Sequence, residues 1–228
     1  MNIVEGEIVV IYKRELENGR ELEFSYRDVD HDRLMIFLPG ISGNAGSERF
    51  RYMEEVAVHS GYSLVRMDFQ FQQYKDESLT IRDCIMDVLA VVEYLKRRDI
   101  NAAKDIVIVA KSFGALVYHL LEDNGLKVSR AILLAPYVRI KESSMDFLDI
   151  PIRDLKEEMM FMQKALLKDI PTFIFHGLKD TVIDIENSEN LVKLKDNYIL
   201  EQVNTDHKFD EQETHSIIIK KTAKFLAG

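Results

Sequence analysis

Apolar positions follow two different spacings along this chain, and the first 30 residues show the spacing of strands. Two runs rich in β-branched and aromatic residues, at 8–16 and 21–29, flank the pair Asn18-Gly19. Asn-Gly between two such runs favours a tight hairpin turn, because both residues tolerate positive φ. An antiparallel β-hairpin is therefore predicted near the N-terminal end of the sequence.

Six short apolar runs follow the hairpin, and they lack strict alternation of apolar and polar residues. Continuous apolar runs of this length are typical of strands that are covered on both faces. They occupy residues 34–38, 62–69, 105–109, 131–134, 172–175 and 198–203. With the hairpin, the sequence thus predicts eight strands.

Stripes of apolar residues at helical spacing lie between these runs, and Ser47 and Gly61 are suited to cap the first of them. The stripes fall within residues 50–57, 81–95, 113–121, 185–194 and 217–226. Strands that alternate with helices predict a mostly parallel sheet with helices on both faces. The predicted fold class is therefore α/β, with an antiparallel hairpin before the parallel strands.

Residues 139–169 interrupt this alternation and are longer than an ordinary connecting loop. The part at 156–167 has a helical pattern and is rich in Met and Phe, including Met160 and Phe161. Such a stripe fits either core packing or a small lid that presents flexible apolar side chains to a substrate. We expect one domain over residues 1–228, with a small helical lid at about 139–169.

Composition and charge narrow the possible functions. The chain has 46% hydrophobic residues and a formal net charge of −9, and it has no basic block that could hold a phosphate backbone. No segment approaches the ~18 apolar residues of a membrane span, and the single cysteine, Cys84, cannot form an internal disulfide. We expect a cytoplasmic monomer or homodimer that binds neither nucleic acid nor membrane and needs no metal or cofactor.

A serine between a predicted strand and a predicted helix is the first candidate for chemistry. In Ala110-Lys111-Ser112-Phe113-Gly114, the small residues at both ends allow a tight turn that lifts the hydroxyl above the sheet, as a nucleophile elbow requires. The same position also suits a serine that caps a helix. As a nucleophile, the hydroxyl would need a histidine to accept its proton and an acid to orient that histidine.

Both partners occur downstream, each just past a predicted strand. Asp180 follows the strand at 172–175, and His207 follows the strand at 198–203. Because the carboxyl ends of parallel strands meet at one edge of a sheet, Ser112, Asp180 and His207 are expected to lie close together. They are the candidate catalytic triad.

Taken together, the hairpin, the elbow at 110–114, the His-Gly-x-x-Asp segment at 176–180 and the Asp-His pair at 206–207 resemble the α/β-hydrolase superfamily. This superfamily contains serine esterases, thioesterases and related acyl hydrolases, and the resemblance covers nearly the whole chain. Two positions depart from its commonest pattern. Ala110 replaces the first glycine of the elbow, and Pro39 stands where His-Gly is more usual.

The resemblance implies a role for each site residue. Ser112 would be the nucleophile, His207 the general base and acid, and Asp180 the carboxylate that orients His207. It also implies an oxyanion hole made of two backbone N–H groups, one from Phe113 and one from the loop at 38–43, with Ile41 as the favoured donor.

The implied reaction is hydrolysis of a small-molecule carboxylic ester through an acyl-enzyme on the serine, with an acyl thioester as the alternative substrate. Candidate substrate contacts are Phe71, Met160 and Phe161. Two other classes of protein stay open. One is a hydrolase-like protein that binds a ligand without cleaving it, and the other is a dinucleotide-binding protein.

The dinucleotide-binding class depends on three glycines, Gly40, Gly43 and Gly46, which lie between a strand and a helix. Their G-x-x-G-x-x-G spacing differs from the G-x-G-x-x-G fingerprint, so this class is disfavoured. Asp68 ends the next strand, where a ribose-binding acid would lie. We favour a structural role for it, in bonding loop amides.

Several other polar residues have competing interpretations. His176 is expected to be structural, Asp184 is a less favoured candidate for the triad acid, and Asp206 is expected to be a solvated loop acid. Lys111, inside the elbow, either pairs with a surface acid or binds an acidic group of the substrate. Pairing is the favoured interpretation.

Overall fold

A nine-stranded sheet forms the centre of the computed structural model, which describes residues 3–4, 7–16, 19–43, 45–121, 126–137, 149, 151–154 and 169–228. All eight predicted strands form, and a two-residue strand at one edge adds a ninth. The strands are β1 (Ile3–Val4), β2 (Glu7–Glu15), β3 (Glu21–Arg27), β4 (Arg33–Leu38), β5 (Ser63–Met67), β6 (Asp105–Lys111), β7 (Arg130–Leu134), β8 (Thr172–Gly177) and β9 (Tyr198–Val203).

The order of strands across the sheet is β1-β2-β3-β5-β4-β6-β7-β8-β9. The pairs β1–β2, β2–β3 and β3–β5 are antiparallel, and the remaining five pairs are parallel. Between β2 and β3, Gly19 has a φ of +78°, which the tight turn requires. The predicted fold class, a mostly parallel sheet with an N-terminal antiparallel hairpin, is confirmed.

Helices cover both faces of the sheet, and each of the five predicted stripes forms one. The helices are a 3₁₀ turn (Glu48–Phe50), α1 (Tyr52–Ser60), α2 (Gln70–Tyr74), α3 (Ile81–Arg97), α4 (Phe113–Leu121), α5 (Glu186–Leu194) and α6 (Gln212–Ala227). Gly61 ends α1 with a φ of +69°. Helix α2 was not predicted, because five residues are too few to show a helical period.

Alternate residues of β6 face opposite helix layers. Ile108 and Ala110 pack in the core beneath α3 and α4, whereas Val107 and Val109 pack in the core beneath α1 and α6. Because side chains alternate along a strand, Lys111 at the end of β6 is directed to the layer of α1 and α6. Ser112 follows immediately, at the carboxyl edge of the sheet.

The connections around β4 create a crevice at that edge. The chain leaves β4 through α1 on one face to reach β5, and it returns through α3 on the other face to reach β6. Ligands of open α/β sheets bind where the strand order reverses in this way, outside the carboxyl ends of the strands. The turn after β6 and the loop after β4 therefore meet at a position suited to a binding site.

The predicted lid, with Met160, Phe161 and the helix at 156–167, lies outside the described residues. The described part at 151–154 joins the core near the start of α3. Ile152 is buried, and its N–H donates to the Leu79 carbonyl at 2.8 Å. In the part of the chain that the structure describes, no helix has the length and hydropathy needed to cross a membrane.

Candidate active site

Ser112 occupies a sharp turn between β6 and α4. Its φ is +49°, in the left-handed region, where a residue other than glycine is strained. The turn is fixed from both sides, because the Ser112 N–H donates to the Leu134 carbonyl at 3.0 Å and the Ser112 carbonyl accepts from the Ala115 N–H at 3.0 Å. This strand, strained turn and helix form the geometry of a nucleophile elbow.

The elbow packs directly against the loop at 39–43, referred to below as the Gly40 loop. A Cβ added to Gly114 would lie 2.5 Å from the Leu38 carbonyl oxygen, so position 114 has no room for a side chain. A Cβ added to Gly40 would lie 3.6 Å from Ser112 Cβ. The Gly40 loop is thus an immediate neighbour of the candidate nucleophile.

Asp180 and His207 form a hydrogen-bonded pair at the same edge of the sheet. His207 Nδ1 lies 2.7 Å from Asp180 Oδ2, while Asp180 Oδ1 accepts the N–H groups of Val182 and Ile183 at 2.8 and 2.9 Å. A carboxylate can only accept, so Nδ1 of His207 carries the proton and Nε2 is the acceptor. This tautomer is the one that can take a proton from a serine.

The contacts of Asp180 also set its charge. Burial acts to raise the pKa of its carboxyl, but the hydrogen bonds from His207 and from the N–H groups of Ile183 and Val182 outweigh burial and hold the pKa below its ordinary value. Asp180 is therefore ionised at neutral pH, as an orienting carboxylate must be.

The loops that carry the acid and the histidine are joined by their backbones. The N–H groups of Leu178 and Lys179 donate to the carbonyls of Val203 and Thr205 at 2.8 and 2.9 Å. The Thr205 carbonyl passes so close to Gly177 that an added Cβ would collide with it. Position 177 therefore requires glycine, because any side chain would push the His207 loop away.

Ser112 and His207 are not joined by a hydrogen bond in the described part of the chain. Catalytic hydrogen bonds are often long in unliganded sites and tighten when substrate binds. Two of the three candidate triad residues are thus brought into contact, and the third, Ser112, lies at the end of β6 on the same edge of the sheet.

Both backbone groups expected in the oxyanion hole are available. Among the described residues, neither the N–H of Ile41 nor that of Phe113 makes a hydrogen bond. Phe113 is the first residue of α4, where N–H groups have no partner within the helix. Ile41 belongs to the Gly40 loop. Two donors near one nucleophile are what an oxyanion hole requires.

Solved structures of esterases and hydrolases share this architecture along nearly the whole chain. The esterase Pf2001 of Pyrococcus furiosus superposes with a TM-score of 0.72 at 18% identity, covering 97% of this chain and 92% of that one. This chain therefore has the α/β-hydrolase fold. Est1E of Butyrivibrio proteoclasticus also superposes, with a TM-score of 0.72 at 16% identity, covering 95% of this chain and 97% of that one.

A mammalian structure with the α/β-hydrolase fold is equally similar. The α/β hydrolase domain-containing protein 10 from mouse superposes with a TM-score of 0.72 at 16% identity, covering 96% of this chain and 98% of the mouse chain. Compared by sequence, the chain matches no protein-family model and no curated protein.

His176 lies behind the acid loop of this hydrolase fold. It is fully buried, and burial lowers the pKa of its ring. Its Nε2 donates to the Ile183 carbonyl at 2.9 Å, and its Nδ1 accepts from the Ser188 hydroxyl at 2.6 Å. Because both ring nitrogens are engaged, His176 holds the turn after Asp180 and has no nitrogen free for a proton from Ser112.

The other acids near the candidate triad bond to backbone amides. Asp184 Oδ1 accepts the Glu186 N–H at 2.9 Å, and Asp206 Oδ1 accepts the Lys208 N–H at 2.7 Å. Neither acid bonds to His207 in the described residues, whereas Asp180 does. Asp68, likewise, accepts the Ala45 N–H at 2.8 Å, which is the structural role expected for it.

Lys111 does not fit the favoured interpretation, in which its side chain pairs with a surface acid. It is 7% exposed, and within the described residues it forms neither an ion pair nor a hydrogen bond. Its Nζ lies 4.0 Å from the position of a Cβ on Gly40. Burial lowers the pKa of Lys111 to about 8, with Asp180 opposing this shift and Arg49 adding to it. The pairing expectation is wrong because the burial of an elbow side chain depends on tertiary packing, which the neighbouring sequence does not reveal.

Phe71 lies close to the elbow, but its ring is only 6% exposed. Its centroid lies 5.8 Å from that of Phe113 and 6.1 Å from that of Phe69, so the three rings pack together behind the turn. A contact between Phe71 and substrate stays a prediction. The other two expected contacts, Met160 and Phe161, fall outside the described residues.

Sequence reasoning missed the part played by Gln72. Gln70, Gln72 and Gln73 each bond to neighbouring protein groups. Gln72 reaches the Gly40 loop, where its Nε2 lies 2.7 Å from the Gly40 carbonyl oxygen. The three glutamines within four residues were the only signal in the sequence.

Proposed function

We propose that this protein is a serine hydrolase that cleaves a carboxylic ester through an acyl-enzyme on Ser112. The observation that carries the proposal is the 2.7 Å bond between Asp180 and His207 at the sheet edge where the strained Ser112 lies. The N–H groups of Ile41 and Phe113, which make no hydrogen bond within the described part of the chain, add support. A module that only bound a ligand would need neither the oriented histidine nor the strained serine.

The geometry supports the following sequence of steps. His207 Nε2 takes the proton of Ser112 Oγ while Oγ attacks the ester carbonyl carbon. The N–H groups of Ile41 and Phe113 hold the negative carbonyl oxygen, and Asp180 stabilises the imidazolium. His207 then protonates the departing alkoxide. In the second half, His207 activates a water molecule that releases the acid and restores Ser112.

The similar structures of Pf2001 from Pyrococcus furiosus carry the description esterase, and this favours an ester over a thioester. A rate panel with matched acyl groups tests the choice. p-Nitrophenyl acetate and acetyl thiocholine present the same acyl group on oxygen and on sulfur. A higher kcat/KM for the oxygen ester would support the proposal, and a higher value for the thioester would identify a thioesterase.

Serine dependence is tested with a fluorophosphonate probe, which labels an activated serine covalently. The wild-type protein should be labelled and should hydrolyse p-nitrophenyl acetate, and Ser112→Ala should lose both properties. Ser216→Ala changes an exposed serine on α6 and is the matched control, which should behave as wild type. Labelling that persists in Ser112→Ala, or a wild-type protein that takes up no probe, would overturn the proposal.

A further inference from the structure

Helix α2 bonds to its surroundings through its side-chain amides. The amide of Gln72 lies against the Gly40 loop, where its Nε2 donates to the carbonyl oxygens of Gly40 and Ile41 at 2.7 and 3.1 Å. Its Oε1 accepts the Phe69 N–H at 2.9 Å. All three bonds go to backbone groups, so the amide is held in one orientation.

These bonds determine which way the Ile41 N–H points. In a trans peptide, the carbonyl and the following N–H point in opposite directions. The Gly40 carbonyl is directed to Gln72 and also accepts the Gly43 N–H at 3.0 Å, so the Ile41 N–H is turned away from α2. It remains without a hydrogen bond in the described part of the chain.

The loop and Gln72 also pack closely together. Gly43 has a φ of +71°, and a Cβ on it would lie 3.0 Å from Gln72 Cδ. The loop therefore rests on the Gln72 side chain itself, and both the turn at Gly43 and the amide bonds oppose rotation of the Gly40–Ile41 peptide.

The helix that carries Gln72 is itself anchored to α3. Asp87 is 1% exposed, and its carboxylate accepts the backbone N–H of Gln70 at 2.8 Å and the Gln70 side-chain amide at 2.6 Å. On the same helix, Phe71 packs its ring against Phe113. Both expected oxyanion donors, Ile41 and Phe113, therefore adjoin one short helix.

We propose that Gln72 is a positioning residue that sets the direction of the Ile41 N–H in the oxyanion hole. It acts through the Gly40 loop and does not touch the substrate. Donors that are already oriented stabilise the developing oxyanion without reorganisation during the reaction, which is why such donors accelerate acyl transfer strongly. This inference rests on the proposed function, since it assumes an acyl hydrolase.

Gln73 provides a matched control on the same helix. Its amide also makes three hydrogen bonds, accepting the Glu23 N–H at 3.1 Å and donating to the carbonyls of Glu23 and Asp68 at 2.9 and 2.6 Å. None of these bonds reaches the Gly40 loop. Gln72→Met and Gln73→Met therefore each remove one side-chain amide from α2. Only Gln72→Met removes the hydrogen bonds to the Gly40 loop.

The test compares Gln72→Met and Gln72→Glu with Gln73→Met in hydrolysis of p-nitrophenyl acetate. Glutamate at 72 can still accept the Phe69 N–H, but as a carboxylate it cannot donate to Gly40 and Ile41. Removing a whole oxyanion donor costs roughly 10²–10³ in kcat, so loosening one should lower kcat by about 10- to 100-fold in both Gln72 variants. The KM should change little, and Gln73→Met should keep kcat near the wild-type value.

A trifluoromethyl ketone inhibitor separates positioning from general damage to the fold. Its tetrahedral adduct places an oxyanion in the hole, so its Ki should rise in the Gln72 variants by the factor by which kcat/KM falls. Thermal unfolding is measured for all variants. Should Gln72→Met fold poorly, Gln72→Glu still decides the question, because it keeps the bond to Phe69.

Two results would overturn the inference. One is a kcat in the Gln72 variants equal to that of wild type, and the other is an equal loss in Gln72→Met and Gln73→Met. Both presuppose a wild-type enzyme that hydrolyses the ester. A wild-type protein without hydrolysis and without labelling by the fluorophosphonate would instead refute the proposed function, so the two failures are distinguishable.

Discussion

His207 Nδ1 lies 2.7 Å from Asp180 Oδ2, and the two residues come from loops that follow neighbouring strands, β9 and β8. The bond fixes the tautomer of the imidazole and leaves Nε2 as a proton acceptor. Asp180 is held in turn by two backbone N–H groups of its own loop. The direction of the histidine is thus set by backbone geometry.

Replacing Asp180 with Asn should remove activity while leaving the fold intact. An amide in this position can donate to Nδ1, which moves the imidazole proton to Nε2 and prevents that nitrogen from accepting the proton of Ser112. We expect kcat to fall roughly 10³- to 10⁴-fold. Asp184→Asn is the control and should stay near wild-type activity. An Asp180→Asn enzyme with most of its kcat would show that another group orients His207.

The strain at Ser112 should be visible in stability. Ser112→Gly and Ser112→Ala are both expected to be inactive, but only glycine is relaxed at a φ of +49°. Relief of the left-handed strain outweighs the greater flexibility of glycine in the unfolded chain, so Ser112→Gly should be more stable than Ser112→Ala by roughly 0.5–1 kcal/mol. Urea denaturation measures the difference. Equal stability would mean that the strain at Ser112 is no larger than the cost of the flexibility of glycine in the unfolded chain.

Gly177→Ala should disturb the candidate triad without altering any of its side chains. The new methyl group would collide with the Thr205 carbonyl and lie 2.9 Å from the Asp206 carbonyl, which displaces the loop that carries His207. We expect a loss of kcat together with a fall in unfolding free energy of about 1–3 kcal/mol. Gly46→Ala is the control, since an added Cβ there meets no atom of the described residues within 4 Å. Normal activity of Gly177→Ala would contradict the close approach.

Lys111→Met should stabilise the protein at pH 7, because it removes a buried ammonium group. The folded-state pKa of Lys111 is about 8, below its ordinary value of 10.5. Between these values the unfolded chain binds a proton that the folded protein has released, so stability rises with pH. Below pH 8 both states carry the charge, and the full cost of burying it remains. The gain from Lys111→Met should be roughly 1–3 kcal/mol at pH 7 and shrink toward pH 10.

Thermal unfolding at several pH values measures this gain. Lys104→Met is the control, because Lys104 is exposed and pairs with Asp32 at 2.8 Å. It should give no stabilisation at any pH. A Lys111→Met protein that is less stable than wild type at pH 7 would show that the ammonium group has a stabilising partner.

The sheet and the candidate triad could be predicted because their signals are local and strong. Each strand is a short apolar run, and each triad residue lies just past one of them, so the parallel topology alone brings Ser112, Asp180 and His207 to one edge. Asp180 is preferred to Asp184 because the His-Gly-x-x-Asp segment at 176–180 resembles the α/β-hydrolase pattern. The hydrogen bond between Asp180 and His207 agrees with that preference.

Helix α2 and Lys111 could not be predicted, for different reasons. The five residues of α2 show no period, and their function depends on partners far away in sequence, such as Gly40 for Gln72 and Asp87 for Gln70. Lys111 is buried at the end of β6, where its Nζ lies 4.0 Å from the position of a Cβ on Gly40, a residue distant in sequence. Neither property is encoded in the neighbouring sequence, so only the folded structure reveals them.

The order of strands in the sheet also bears on how the protein folds. Ser112 and His207 follow β6 and β9, which are separated in the sheet by β7 and β8. Parallel strands pair across long crossovers, and such non-local pairing is slow in folding. The site should therefore be completed only when the last strand docks. Recovery of fluorophosphonate labelling during refolding would time that final event.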